Sequence, residues 1–245
     1  LLIILGCRLN IRQISYNWKK FAPKAFKIMV DIDQAELDKP TLKINYKIKT
    51  DLKIFLPLFL KKVEDLNYSS SKEHNKYLKW CKERVIKYPV VLPEYKNKKA
   101  KKINPYIFIE ELFKILTKDD VVITGNGSAC VMTFQAAKIK QGQRLYTNSG
   151  SASMGYDLPA SIGAAIAKKN GRIICLAGDG SLMMNLQELQ TVQGYNLPIK
   201  VFVLNNNGYV SIKQTQEAYF SDNVVGVDAK SGVTIPDFMK LGKAL

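Results

Sequence analysis

Residues 172–181 read RIICLAGDGS, and residues 199–208 read IKVFVLNNNG. Each is a short apolar run that stops at a cluster of Gly, Asp or Asn. Continuous apolar runs of this length, closed by turn residues, read as strands buried on both faces. Between them Leu182, Leu186, Leu189 and Val192 recur at helical spacing. Strand, helix and strand in succession predict a parallel βαβ unit.

The same alternation extends upstream. Pro105–Leu116 reads as an apolar-periodic helix and Val121–Thr124 as a strand that ends at Gly125-Asn126-Gly127-Ser128. Arg144–Thr147 reads as a short strand that ends at Asn148–Met154, and Gly155–Ala167 as a helix of small residues. The fold class predicted is α/β, a doubly wound parallel sheet. In such sheets the loops that follow the strands emerge at one edge, where ligands bind. The four Gly- and Asn-rich loops are therefore predicted to converge.

Their chemistry points to a phosphate held through a cation. Gly178 and Gly180 let the backbone approach a ligand, and the helix that follows directs N–H groups at it. Asp179 between them would repel a phosphate unless a divalent cation lies between the two. Mg²⁺ takes about six oxygens and shares them with phosphates. Asp179 offers a carboxylate oxygen, Asn206 an amide oxygen and Gly208 a backbone carbonyl. A dinucleotide loop needs Gly-x-Gly-x-x-Gly, but its third position is Cys130 after the first loop and Met183 after the second. No GxxxxGK[ST] phosphate loop occurs in the sequence.

The rest of the chain is less regular. Leu1–Gly6 and Lys27–Ile32 read as strands, the first as a buried one, and Asp51–Val63 as an apolar-rich helix. Residues 66–103 are polar and lysine-rich, as suits an inter-domain connection, with a surface helix near Asn75–Tyr88. The chain has 245 residues and a net charge of +16. Residues 43–102 hold 17 Lys and Arg against 6 Asp and Glu, and only five of all 37 basic residues are Arg. Charge so concentrated, with no basic-aromatic motif, reads as a solvated surface and not a nucleic-acid site. Cys7, Cys81, Cys130 and Cys175 lie far apart and read as core residues of a reducing compartment. His74, the one histidine, falls in the polar connection, so no zinc site of ordinary spacing is predicted. No apolar run reaches the roughly 20 residues of a membrane span. The chain lacks an initiator Met and stops in a helical pattern, which suggests a fragment.

A Gly-Asp-Gly separated by 24 residues from an Asn-Asn is the cofactor signature of thiamine-diphosphate (ThDP) enzymes. The stretch NSGSASMGYDLPASIGAA, residues 148–165, extends the likeness, and LGCRLNIRQ and MVDIDQAEL, residues 5–13 and 29–37, stand in the order of a middle domain. The chain thus resembles the large subunit of acetolactate synthase over nearly its whole length. The resemblance implies that residues 1–65 end a Rossmann-like middle domain, 66–103 link, and 104–245 form a ThDP diphosphate-binding domain that is incomplete at its C-terminus. By motif position Asp179, Asn206 and Gly208 are Mg²⁺ ligands. Gly178, Gly180, Ser181, Ser128, Ala129 and Ala152 are cofactor contacts, and Ser128 reads equally as a helix cap. Met154 supports the bent form of the cofactor, with packing in the core as its alternative. Arg8 and Arg12 mark where FAD is held in the family. The segment lacks the family's acidic pair, and a surface or structural role for both arginines is at least an equal alternative.

The activity implied is decarboxylation of a 2-oxo acid, pyruvate first among them, and transfer of the two-carbon unit to a second carbonyl. A decarboxylase or oxidase, transfer to a keto-sugar, and a non-enzymatic basic binding module remain alternatives. Thr215 stands where the family carries a tryptophan that shapes acceptor choice. The family's activating glutamate belongs to a pyrimidine domain outside these residues, so the chain alone is expected to be inactive. A cytoplasmic homodimer or homotetramer, with no membrane partner, completes the expectation.

Overall fold

The computed structural model describes residues 1–96, 101–169, 171–220 and 223–245, apart from the side chain of Arg12. These residues fall in two compact units, 1–82 and 83–245.

In the first unit β1 (Leu2–Leu5), β2 (Lys27–Asp31) and β3 (Tyr46–Lys49) form a parallel sheet in that order. Short helices α1 (Ile11–Ile14) and α2 (Gln34–Asp38) follow β1 and β2. Ile4, Leu9, Ile14, Met29 and Leu37 make the core. The opening strand was expected to be buried, but β1 is an edge strand of which only Ile4 is buried, while Ile3 and Leu5 are exposed. Strand β3 escaped the sequence reading because its alternate lysines look like a polar loop. Asp51 caps α3 (Leu52–Asp65) by accepting the N–H of Lys53. Helix α4 (Lys72–Lys87) buries no residue.

The second unit is built on β4 (Val121–Thr124), β5 (Arg144–Tyr146), β6 (Ile173–Gly178) and β7 (Ile199–Leu204). All are parallel, in the order β5-β4-β6-β7. Side chains alternate between the faces of a strand, and both faces are covered. Val121, Ile123, Ile173, Cys175 and Ala177 pack with Leu158, Ile162 and Ala165 of α7 (Asp157–Lys168). Val122, Ile174 and Leu176 pack instead with Ile109, Leu112 and Phe113 of α5 (Pro105–Ile115) and Ala136 of α6 (Ser128–Ala136). Burial on both faces is why these strands read as unbroken apolar runs.

The stripe Leu182, Leu186, Leu189 and Val192 does face one core, but it is not one helix. It divides into α8 (Asp179–Leu182), a 3-10 turn at Met183–Asn185 and α9 (Glu188–Gly194). Helices α10 (Val210–Tyr219) and α11 (Phe238–Ala244) complete the unit. At the amino ends of β4 and β6, Arg172 donates Nε–H and Nη2–H to the two oxygens of Asp120 at 2.9 and 2.7 Å.

Candidate functional site

The strand order sets the position of the site. The chain passes from β4 outward to β5, then returns to the other side of β4 for β6. This reversal makes β4 and β6 a topological switch point, where the loops part and leave a crevice. The loops that flank it are Gly125–Ser128 and Gly178–Ser181. A cleft of about 160 Å³ lies there, lined by Asn126, Gly127, Ser128, Met154, Gly178, Asp179, Gly180, Ser181, Asn206 and Gly208, together with Tyr209, Val210, Ser211 and Ile212.

Asp179 is the centre of this cleft. It is 1% exposed. Its Oδ1 accepts the N–H of Gly180 at 2.8 Å, and its Oδ2 accepts those of Asn206 and Gly208, each at 3.0 Å. Among the described residues no Lys, Arg or His forms an ion pair with it. A buried carboxylate held only by N–H dipoles is an anion without a counter-ion, and such charges are costly unless a cation neutralises them. The residues present therefore fit a divalent cation. Asp179, the amide of Asn206 and the carbonyl of Gly208 would hold it and leave its other positions to a diphosphate. No group of three or more His, Cys, Asp or Glu able to hold a metal occurs among the described residues.

Two glycines bring backbone close to this point. A Cβ on Gly180 would stand 2.3 Å from the ring of Tyr209. Gly208 has φ +138°, and its Cβ would stand 2.0 Å from the carbonyl oxygen of Val227. That oxygen also accepts the N–H of Tyr209 at 2.8 Å. Residues 225–233 thus back the Asn-rich loop. They are secured to α10 by Lys213, whose ammonium donates to Asp228 at 2.7 Å and holds that carboxyl down at about 2.

Ser128 and Ala129 open α6, but the cap is Gly127, at φ +64° and without a side-chain bond, so Ser128 is not the cap. Ala129 is fully buried and does not line the cleft, which leaves its backbone as the part able to meet a ligand. Ala152 also stands outside the lining. It has φ +53°, and its carbonyl accepts from Asn126 Nδ2 at 2.6 Å. The Ser181 hydroxyl is engaged twice, donating to Asp157 Oδ2 at 2.8 Å and accepting from the N–H of Gly155 at 2.8 Å.

Asp157 went unrecognised in the sequence, where it reads as an ordinary first-turn helix acid. It is fully buried. Burial pushes its carboxyl above the usual range, against the hydrogen bond from Ser181 that favours the charged form. A Cβ on Gly125 would stand 2.0 Å from its Oδ2. One carboxylate thus touches the loops after β4 and β6. The available signal was an acid set among small apolar residues.

Of the cysteines only Cys175 is buried, and burial pushes its thiol up to about 12. Cys7, Cys81 and Cys130 are half-buried, which corrects the expectation of four core residues. His74 is exposed. Arg8 donates to Glu36 at 2.5 Å beside a larger hollow of about 480 Å³ that Asp31, Asp33 and Asp51 also line. Size alone favours that hollow, but the uncompensated buried carboxylate and the two close-approach glycines lie in the other. The side chain of Arg12 lies outside the described residues. No described helix is long and apolar enough to cross a membrane.

Fold and site together define a doubly wound domain with two glycine loops that flank a cleft at a switch point. Residues 125–245 match the family described as thiamine pyrophosphate enzyme, C-terminal TPP binding domain, and the chain belongs to that family through them. Over all its length it is 35% identical to the acetolactate synthase large subunit of Cyanidium caldarium. It is 33% identical to that of Buchnera aphidicola from Schizaphis graminum over 97% of the chain, and 30% identical to the isozyme 1 large subunit of Escherichia coli K12 over 91%. The chain spans 40% of the length of the first two relatives and 38% of the third.

Proposed function

We propose that this chain holds the diphosphate of ThDP through Mg²⁺ for a carboligase of the acetolactate synthase type. The single observation that carries this is Asp179, a buried carboxylate with no ion pair among the described residues, whose Oδ2 gathers the N–H groups of Asn206 and Gly208. When bound, the cofactor supplies an electron sink for loss of CO₂ from a 2-oxo acid and for addition of the remaining unit to a second carbonyl. The chain's own part is to bind and orient. Asp179, Asn206 and Gly208 hold the cation, and the backbone of the loops at Gly127–Ala129 and Gly178–Gly180 receives the diphosphate. Met154 supports the rings from the cleft wall, and the apolar side chains of Val210 and Ile212 shield them from water.

Pyruvate is the donor that the relatives' name suggests, and a cytoplasmic homodimer or homotetramer is the assembly. The acceptor has two readings. Thr215, in the place of the family's tryptophan, is a small, exposed residue whose hydroxyl donates to the carbonyl of Ser211 on its own helix. That supports a keto-sugar as the alternative to a second pyruvate. The test is to supply pyruvate, ThDP and Mg²⁺ to the longest natural polypeptide that contains these residues, with and without a keto-sugar, and to identify the products. A carbon–carbon ligated product supports the reading. Free acetaldehyde or hydrogen peroxide, with no ligated product, contradicts it.

A further inference from the structure

Gly155 is gripped from both sides by the segment that follows the Gly178-Asp179-Gly180 turn. Its N–H donates to Ser181 Oγ at 2.8 Å, and its carbonyl accepts from Asn185 Nδ2 at 2.6 Å. Its φ is +78°, and a Cβ there would lie 2.6 Å from that same Nδ2 and 3.0 Å from Cβ of Met184. The grip is anchored in turn. Ser181 donates its proton to Asp157 Oδ2 at 2.8 Å, and Asp157 Oδ1 accepts the N–H of Leu158 at 2.9 Å.

This arrangement has a cost that packing alone does not require. Asp157 is fully buried, where an apolar side chain would avoid the loss of hydration. The segment that carries Ser181 and Asn185 also runs as a short helix and a 3-10 turn, not as the regular helix that the stripe Leu182, Leu186, Leu189 and Val192 predicts. What the arrangement gains is register. The residue bonded to Gly155 is Met154, which lines the same cleft as Asp179. Both ends of the Gly155 peptide are tied to side chains two and six residues beyond Asp179.

We infer that Asp157, Ser181 and Asn185 are positioning residues that clamp the Gly155 peptide and so hold Met154 at a fixed place relative to the Asp179 loop. The clamp governs how the rings of the cofactor are accepted, not how its diphosphate is held. The Ser181 hydroxyl, engaged as donor and as acceptor, serves the clamp and makes no diphosphate contact. The inference rests on the reading that this cleft takes ThDP.

Two ligands separate the clamp from the site. ThDP carries rings for Met154 to meet, whereas inorganic diphosphate carries none. Dissociation constants for both, with Mg²⁺ present, would be measured by calorimetry in the longest natural polypeptide that contains these residues. The wild type would be compared with Ser181→Ala, Asn185→Leu and Met154→Ala. Preorganised contacts of this kind are worth about tenfold in affinity. Each variant is expected to weaken ThDP about that much and inorganic diphosphate by less than about twofold. Met154→Ala combined with Asn185→Leu is expected to lose little more than either alone, because both act through one contact. Asn185 is only half-buried, so Asn185→Leu keeps the test open if Ser181→Ala fails to fold. Equal loss for both ligands, or no loss for ThDP, overturns the clamp. Wild-type protein that binds neither ligand overturns the ThDP reading itself.

Discussion

Asp179 and Gly208, 29 residues apart in sequence, are joined by a 3.0 Å hydrogen bond from the Gly208 N–H to Asp179 Oδ2. The same oxygen accepts the N–H of Asn206 at 3.0 Å, so the ends of β6 and β7 are drawn to one atom. The two motifs of the sequence are thus one structure before any ligand arrives. The carboxylate gathers the backbone N–H groups of Asn206 and Gly208 to itself.

Gly208 allows little substitution. Its φ of +138° and the Val227 oxygen 2.0 Å from a would-be Cβ leave no room for alanine without a loop shift. Gly208→Ala is expected to lower the unfolding free energy by about 1–3 kcal/mol. It should also weaken Mg²⁺-dependent binding, because the carbonyl moves with the loop. Urea unfolding and a Mg²⁺ titration check the two parts, and unchanged values in both would refute the close approach.

Gly180 and Tyr209 should be energetically coupled. The ring lies where a Cβ on Gly180 would go, 2.3 Å away at its nearest atom. Gly180→Ala should destabilise by about 1–3 kcal/mol through overpacking. The loss should shrink by more than about 0.5 kcal/mol when Tyr209 is also alanine. A double-mutant cycle measures this, and additive losses would mean that the ring is not the obstacle.

The Asp120–Arg172 pair gives a pH test of the sheet. Burial alone would raise the Asp120 carboxyl, but the hydrogen bonds from Arg172 and from the N–H of Thr117 outweigh it and lower the value below 3.8. A lowered folded value contributes stability that is complete above the unfolded value and is lost as pH falls through the folded one. Arg172 is 43% exposed, so solvent weakens the pair. Arg172→Met should cost about 1–2 kcal/mol near neutral pH. The deficit relative to wild type should narrow in acid below 3.8. A deficit that stays constant down to the acid limit would assign the effect to packing.

The sheet was legible because burial on both faces forces strands such as Val121–Thr124 and Ile173–Gly178 to be wholly apolar. The cleft was legible because Gly180 and Gly208 mark close approaches that few other residues permit. Strand β3 was not, since an edge strand with exposed lysines carries no burial signal. Neither was the division of the helix after Ser181. Its apolar spacing is helical, and the segment carries side-chain bonds to Gly155, a partner 26 residues upstream of Ser181. Asp157 was missed for the same reason, as its role depends on Ser181, 24 residues further on.

The most direct test of the central claim is a calorimetric titration of ThDP with and without Mg²⁺, for wild type and Asp179→Ala, with circular dichroism to show that both are folded. It belongs in the longest natural polypeptide that contains these residues. The wild type is expected to bind only with Mg²⁺ present, and the variant to lose at least about tenfold in affinity, or about 1.4 kcal/mol. Equal binding in all four cases, or none in any, would contradict a metal-bridged diphosphate site at Asp179.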